Sequence, residues 1–248
     1  MRPVPLVSDA LLHCGAGGLA VAGAAVLSWR AGFGPATAAT ALAVYLGICL
    51  FVLTAVPRHA PHARFGIANA VTLLRAALIA VLAGFAAESA AFDAAARGAL
   101  ALAALAALLL DGVDGWHARR QGLASAFGAC FDLEIDALTV LVLALLVYGT
   151  GQADAWVIVL GAMRYLSLLV GRVFPVLSGE LEPSWRRKAI CVATIAALIA
   201  ALAPPVSPGT ASALCLAAAI LLIYSFGADG ILLVRGARAG IEAGAAPS

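Results

Sequence analysis

The chain has 248 residues, of which 64% are hydrophobic and 11% charged, and its mean hydropathy is +1.04. A soluble domain carries about 25% charged residues, so the composition excludes a water-facing globule. A net charge of +2 is too small to indicate nucleic acid as a partner. Ala, Leu, Val and Gly dominate, a composition suited to membrane helices that pack closely through small residues.

Crossing the hydrocarbon core takes about 20 apolar residues. Eight stretches meet that length: 10–29, 37–56, 66–87, 96–118, 123–149, 154–175, 187–204 and 209–235. The first begins near the amino terminus. The residues before it hold only Arg2 and Asp9 as charges, a weak leader n-region, so a retained helix is expected and not a cleaved leader. With the amino terminus inside, eleven Arg and Lys residues fall in inner loops and ends, against Arg30 and Arg97 outside. This asymmetry places both termini in the cytoplasm.

The expected fold is an all-α integral membrane protein, a bundle of about eight transmembrane helices. The stretch 57–64 divides it, giving an amino-terminal helical pair and linker over 1–64, a six-helix core over 65–235 and a short cytoplasmic tail over 236–248. The five cysteines are scattered through apolar segments without metal-type spacing and read as small buried hydrophobes.

Thirteen acidic residues are present, and five of them crowd into positions 111–136: Asp111, Asp114, Asp132, Glu134 and Asp136. Each Asp near the centre of a membrane helix costs about 2.5–3.5 kcal/mol on insertion scales, which argues for a function. At about 100° per residue, Asp111 and Asp114 lie about 60° apart on one helix face, with Gly115 and Ala118 beside them. On the next helix Gly128, Asp132 and Asp136 form an i, i+4, i+8 stripe. Glu134 points about 200° away from Asp132 and falls outside it. Two antiparallel helices joined by the 119–122 turn would face four Asp across one cleft. Carboxylates without Cys or His make a hard oxygen site, suited to Mg²⁺ or Mn²⁺, and two such ions would clamp a pyrophosphate. An Asp-lined ion or proton pathway, and a structural salt-bridge cluster, are the other readings of this geometry.

Residues 111–136 read DGVDGWHARRQGLASAFGACFDLEID. They resemble the CDP-alcohol phosphotransferase (CDP-alcohol phosphatidyltransferase) signature D-x-x-D-G-x-x-A-R-x8-G-x3-D-x3-D, with every fixed position and spacing met. Upstream, NAVTLLR supplies Asn69, Thr72 and Arg75, similar to the N-x-x-T-x-x-R opening of the family's first core helix. The resemblance covers roughly 65–235 and leaves the first two helices outside.

The resemblance implies a membrane transferase of phospholipid synthesis. It would move a phosphatidyl group from CDP-diacylglycerol to an alcohol acceptor and release CMP. Asp111, Asp114, Asp132 and Asp136 would hold a binuclear metal site, with Asp136 also the base that deprotonates the acceptor hydroxyl. Gly115, Ala118 and Gly128 would line the cytidine site, Arg119 would support the phosphates, and Asn69, Thr72 and Arg75 would border the same cavity. For the last three, helix–helix hydrogen bonding is an equal alternative. Transfer of a CDP-linked head group to a lipid alcohol is the second enzymatic reading, and an Asp-lined transporter the reading from another class.

Arg164 and Arg172 are candidates for binding a phosphate on the acceptor. Arg186, Arg187 and Lys188 read more simply as contacts to anionic lipid headgroups. Trp116 is expected as an interfacial anchor and His117, off the Asp face, as an interfacial histidine. Family members often form homodimers. The expected location is a bacterial inner membrane, with the active site on its cytoplasmic side.

Overall fold

The computed structural model describes residues 6–59, 64–121, 125–174, 176 and 184–244; for 59, 113–121 and 237–244 it describes the backbone alone. Among the described residues the architecture is all-helical. The helices are α1 (Leu6–Arg30), α2 (Pro35–Ala55), α3 (Ile67–Ala86), α4 (Ala94–Gln121), α5 (Ala126–Gly149), α6 (Ile158–Val173), α7 (Trp185–Leu202) and α8 (Pro208–Gly244), with short 3-10 turns between some of them. They match the eight expected spans in number and order. The largest difference is at the end, where α8 runs on to Gly244 through most of the segment expected as a tail.

Local chemistry sets several of the boundaries. Pro35 and Pro208 open α2 and α8, where the missing N–H costs nothing and the fixed φ suits a first helical turn. Gly66 precedes α3 at φ 85° and ψ 155°, a conformation that only glycine adopts readily. Ser125 caps α5, its Oγ accepting the Gly128 N–H at 3.0 Å. The start of α2 lacks a cap of its own, and Glu88, after α3, supplies one by accepting the Gly34 N–H at 3.0 Å. A carboxylate there also meets the positive end of the α2 dipole.

Among the described residues six helices are long and apolar enough to cross a membrane: α1, α2, α3, α4, α6 and α8. The other two carry too many charges for that measure, α5 through Asp132, Glu134 and Asp136, and α7 through Arg186, Arg187 and Lys188. Large apolar side chains such as Leu12, Leu19, Leu46 and Leu102 stand exposed on the outside of the bundle, which is where lipid tails would cover them. The chain is an integral membrane bundle.

The centre of the bundle is α3. In its apolar stretch 61% of the residues are buried inside the protein, against 17% in α1 and 22% in α8. It packs against α1, α2, α4 and α5. One buried cluster joins α1 and α2 to α3 and α5 through Tyr45, Val52, Phe65, Leu73, Phe127 and Phe131. A second joins α3 and α5 to α4, α7 and α8. The amino-terminal pair thus shares a core with the helices that follow it. Asp9 of α1 strengthens that joint by accepting the Phe65 N–H at 2.8 Å.

Small residues permit the closest contacts. A Cβ on Gly84 would stand 2.5 Å from the Thr37 carbonyl oxygen, so glycine lets α2 lie directly on α3. Gly161 of α6 does the same against Leu141 of α5.

Candidate active site

Three helices build the site. On α3, Asn69, Thr72 and Arg75 are all buried, and their three-residue spacing turns them along one side of the helix. On α4, Asp111 is buried. On α5, Asp132 and Asp136 sit one turn apart, as the i, i+4 spacing requires. Their carboxylates converge with that of Asp111, so that one oxygen from each lies within 4.8 Å of the others.

The space between the carboxylates belongs to Arg75. Its Nη1 donates to Asp111 Oδ1 at 2.7 Å and to Asp132 Oδ1 at 2.9 Å, and its Nη2 donates to Asp136 Oδ1 at 2.7 Å. This alters the expected geometry of two antiparallel helices facing each other directly. Among the described residues α4 and α5 scarcely touch at the backbone, because both pack on α3, and Arg75 reaches between them. Sequence reasoning placed Arg75 on the rim of a nucleotide cavity and did not anticipate its three ion pairs. A signal was available, since an Arg inside a membrane span requires a partner.

The carboxylates differ in openness. Side-chain exposure rises from 8% at Asp111 through 17% at Asp136 to 36% at Asp132. A ligand would therefore approach past Asp132. Lys188 stands at the start of α7. Cys191, one turn along α7, directs its thiol at Asp136 Oδ2 at 3.9 Å.

With all three carboxylates ionised, one guanidinium would leave two negative charges in the cluster. Opposite ligands of Mg²⁺ are about 4.2 Å apart at its usual oxygen distances, so small side-chain movements would bring these oxygens onto such an ion. The donor set is hard and purely carboxylate, which fits a divalent cation and not a soft metal.

Asn69 donates its Nδ2 to the Phe65 carbonyl at 2.5 Å, and Thr72 donates to the Ala68 carbonyl at 3.1 Å. Gly128 lies against Asn69, where a Cβ would stand 3.0 Å from Asn69 Oδ1 and 3.3 Å from Ser125 Oγ. The glycine thus has a packing reason at the α3–α5 contact. The side chains of Asp114, Gly115, Trp116, His117, Ala118 and Arg119 lie outside the described residues, although the backbone there continues α4.

Glu134 is absent from the cluster, as its helical phase predicts. It accepts from Arg164 Nη2 at 2.7 Å on another face of α5. Arg164, a candidate for the acceptor site, is therefore engaged by an acid, while Arg172 is exposed. An apolar groove of about 300 Å³ opens beside this pair between α2, α5 and α6, lined by Gly47, Phe51, Leu138 and Tyr165 among others. It does not include the Asp cluster. Arg186 and Arg187 both pair with Asp229 of α8, and Arg186 also lies over the Tyr224 ring at 5.7 Å. Those contacts join α7 to α8. All five cysteines are free; Cys14 and Cys215 are buried as expected, whereas Cys130 is exposed.

A helical membrane bundle holding clustered carboxylates at its centre suits a divalent cation. The sequence model of one family, described as CDP-alcohol phosphatidyltransferase, matches residues 65–225. The chain belongs to that family, and is an enzyme that moves a substituted phosphate group from a CDP-linked donor to an alcohol. The match begins at α3, so α1 and α2 lie outside it. No curated protein and no solved structure matches the chain.

Proposed function

We propose that this protein is a phospholipid-synthesis transferase of a bacterial inner membrane, passing a phosphatidyl group from CDP-diacylglycerol to an alcohol acceptor with release of CMP. The observation that carries the reading is the convergence of Asp111, Asp132 and Asp136 at the centre of a family-matched core. These residues and Asp114 would hold two Mg²⁺ or Mn²⁺ ions. Bound there, such ions neutralise the donor pyrophosphate and the charge that develops on the transferred phosphorus.

The protein's own groups then have separable tasks. Asp136, one turn beyond Asp132, takes the proton from the acceptor hydroxyl as its oxygen attacks phosphorus. Asp111, the most enclosed of the three, fixes the inner end of the donor site. Gly115, without a side chain, and Ala118, with only a methyl, would leave room for a cytidine, and Arg119 would support the phosphates. Asn69, Thr72 and Gly128 border that nucleotide, with Gly128 packed against Asn69 where α3 meets α5. The openness of Asp132 supports an acceptor route past that residue. In this reading both termini lie in the cytoplasm with the site on that side.

The test is CMP release by the purified protein, given CDP-diacylglycerol and a panel of phosphorylated and unphosphorylated alcohols. Turnover of a CDP-linked head group with a lipid alcohol, and none of CDP-diacylglycerol, would transfer the assignment to the other branch of the family.

A further inference from the structure

Among the described residues Arg75 is the largest of the fully buried side chains, at 2% exposure. Its guanidinium is committed to three carboxylates from two other helices. Its Nε is equally enclosed and has no hydrogen-bond partner among the described residues. An Arg that serves only as scaffold is expected to satisfy the donors it buries. This one is held by charge at the point between the Asp oxygens, at the expense of a donor, and a divalent ion would need those same carboxylates.

We infer that Arg75 is an internal counter-ion that competes with divalent metal for Asp111, Asp132 and Asp136, so that metal loading and release of the guanidinium are linked. The inference rests on reading the Asp cluster as a metal site. Three carboxylates inside a membrane bundle are costly without a cation, and Arg75 supplies one from within the chain. A guanidinium and a divalent ion repel strongly at the same oxygens in a medium of low dielectric. Occupation by one therefore displaces the other. A displaced guanidinium remains in the same cleft, free to meet the phosphates of an anionic donor. Arg75 is in this sense a positioning residue: it sets the affinity and order of metal binding through the carboxylates.

The experiment compares wild type, Arg75→Gln and Arg75→Lys as purified full-length proteins. Mn²⁺ binding is measured by calorimetric titration, and melting temperature with EDTA and with saturating Mn²⁺. Removing a competing charge should make Arg75→Gln bind Mn²⁺ about tenfold more tightly or better, with Arg75→Lys between it and wild type. The stabilisation by Mn²⁺ should be larger in Arg75→Gln, whose carboxylates lack any cation in EDTA. A variant that folds only with Mn²⁺ gives the same answer. If neither variant binds Mn²⁺ more tightly than wild type, Arg75 orders the carboxylates without competing and the inference fails. If wild type and variants alike bind no Mn²⁺, the metal site itself is wrong and the inference falls with it.

Discussion

Glu134 and Arg164 meet at 2.7 Å on α5 and α6, turned away from the Asp cluster although Glu134 lies between Asp132 and Asp136 in sequence. One helix thus carries two separate charge systems, divided by the 100° step of its residues. Glu134→Gln should keep most transferase activity, whereas Asp132→Asn should lose nearly all of it. The Glu134 change leaves Arg164 without its acid and should lower stability by about 1–3 kcal/mol. CMP release and melting temperature of both variants decide this, and equal losses of activity in folded proteins would refute the separation.

Metal removal should abolish turnover. Activity is expected to vanish in EDTA and to return with Mg²⁺ or Mn²⁺, because the clustered carboxylate oxygens are hard donors. Undiminished CMP release in metal-free buffer would exclude the mechanism.

Asp136 and Asp111 should fail differently. If Asp136 acts chiefly as the base, Asp136→Asn with metal present should still bind a CDP-lipid analogue while turnover falls about 10²–10⁴-fold. Asp111→Asn should weaken donor binding as well. Calorimetric titration of the analogue into each variant separates the two, and equal loss of binding would make Asp136 primarily a ligand.

Gly84 tests the packing of the amino-terminal pair. The Cβ of Gly84→Ala would collide with the Thr37 backbone, forcing α2 away from α3 at a cost of about 1–3 kcal/mol. A lower melting temperature is expected, and an unchanged one would show that the two helices adjust freely.

Glu88 should confer a pH-dependent stability. The Gly34 N–H, with smaller help from Thr37, holds its carboxyl below the usual carboxylate range. A depressed folded-state pKa stabilises above the unfolded value of about 4.3 and ceases to do so as pH falls through the folded value. Wild type should therefore melt above Glu88→Gln at neutral pH, with the gap closing below about pH 4. A gap independent of pH would place the effect in packing, not charge.

The eight helices, most of their ends, the Asp stripe on α5 and the exclusion of Glu134 were all legible in the sequence. Each depends on hydropathy or helical phase, which are local properties of the chain. The partners were not. Arg75 meets Asp111 across 36 positions and Asp136 across 61. Asp9 meets Phe65 across 56, and Arg164 meets Glu134 across 30. These pairings depend on which helix lies beside which, and in particular on α3 standing between α4 and α5. Lipid tails are as apolar as leucine, so hydropathy drives each helix into the membrane without ordering it among its neighbours. That order comes from small-residue contacts such as Gly84 on Thr37 and Gly161 on Leu141, and from buried charges that must find partners. Both are settled only when the whole bundle has packed.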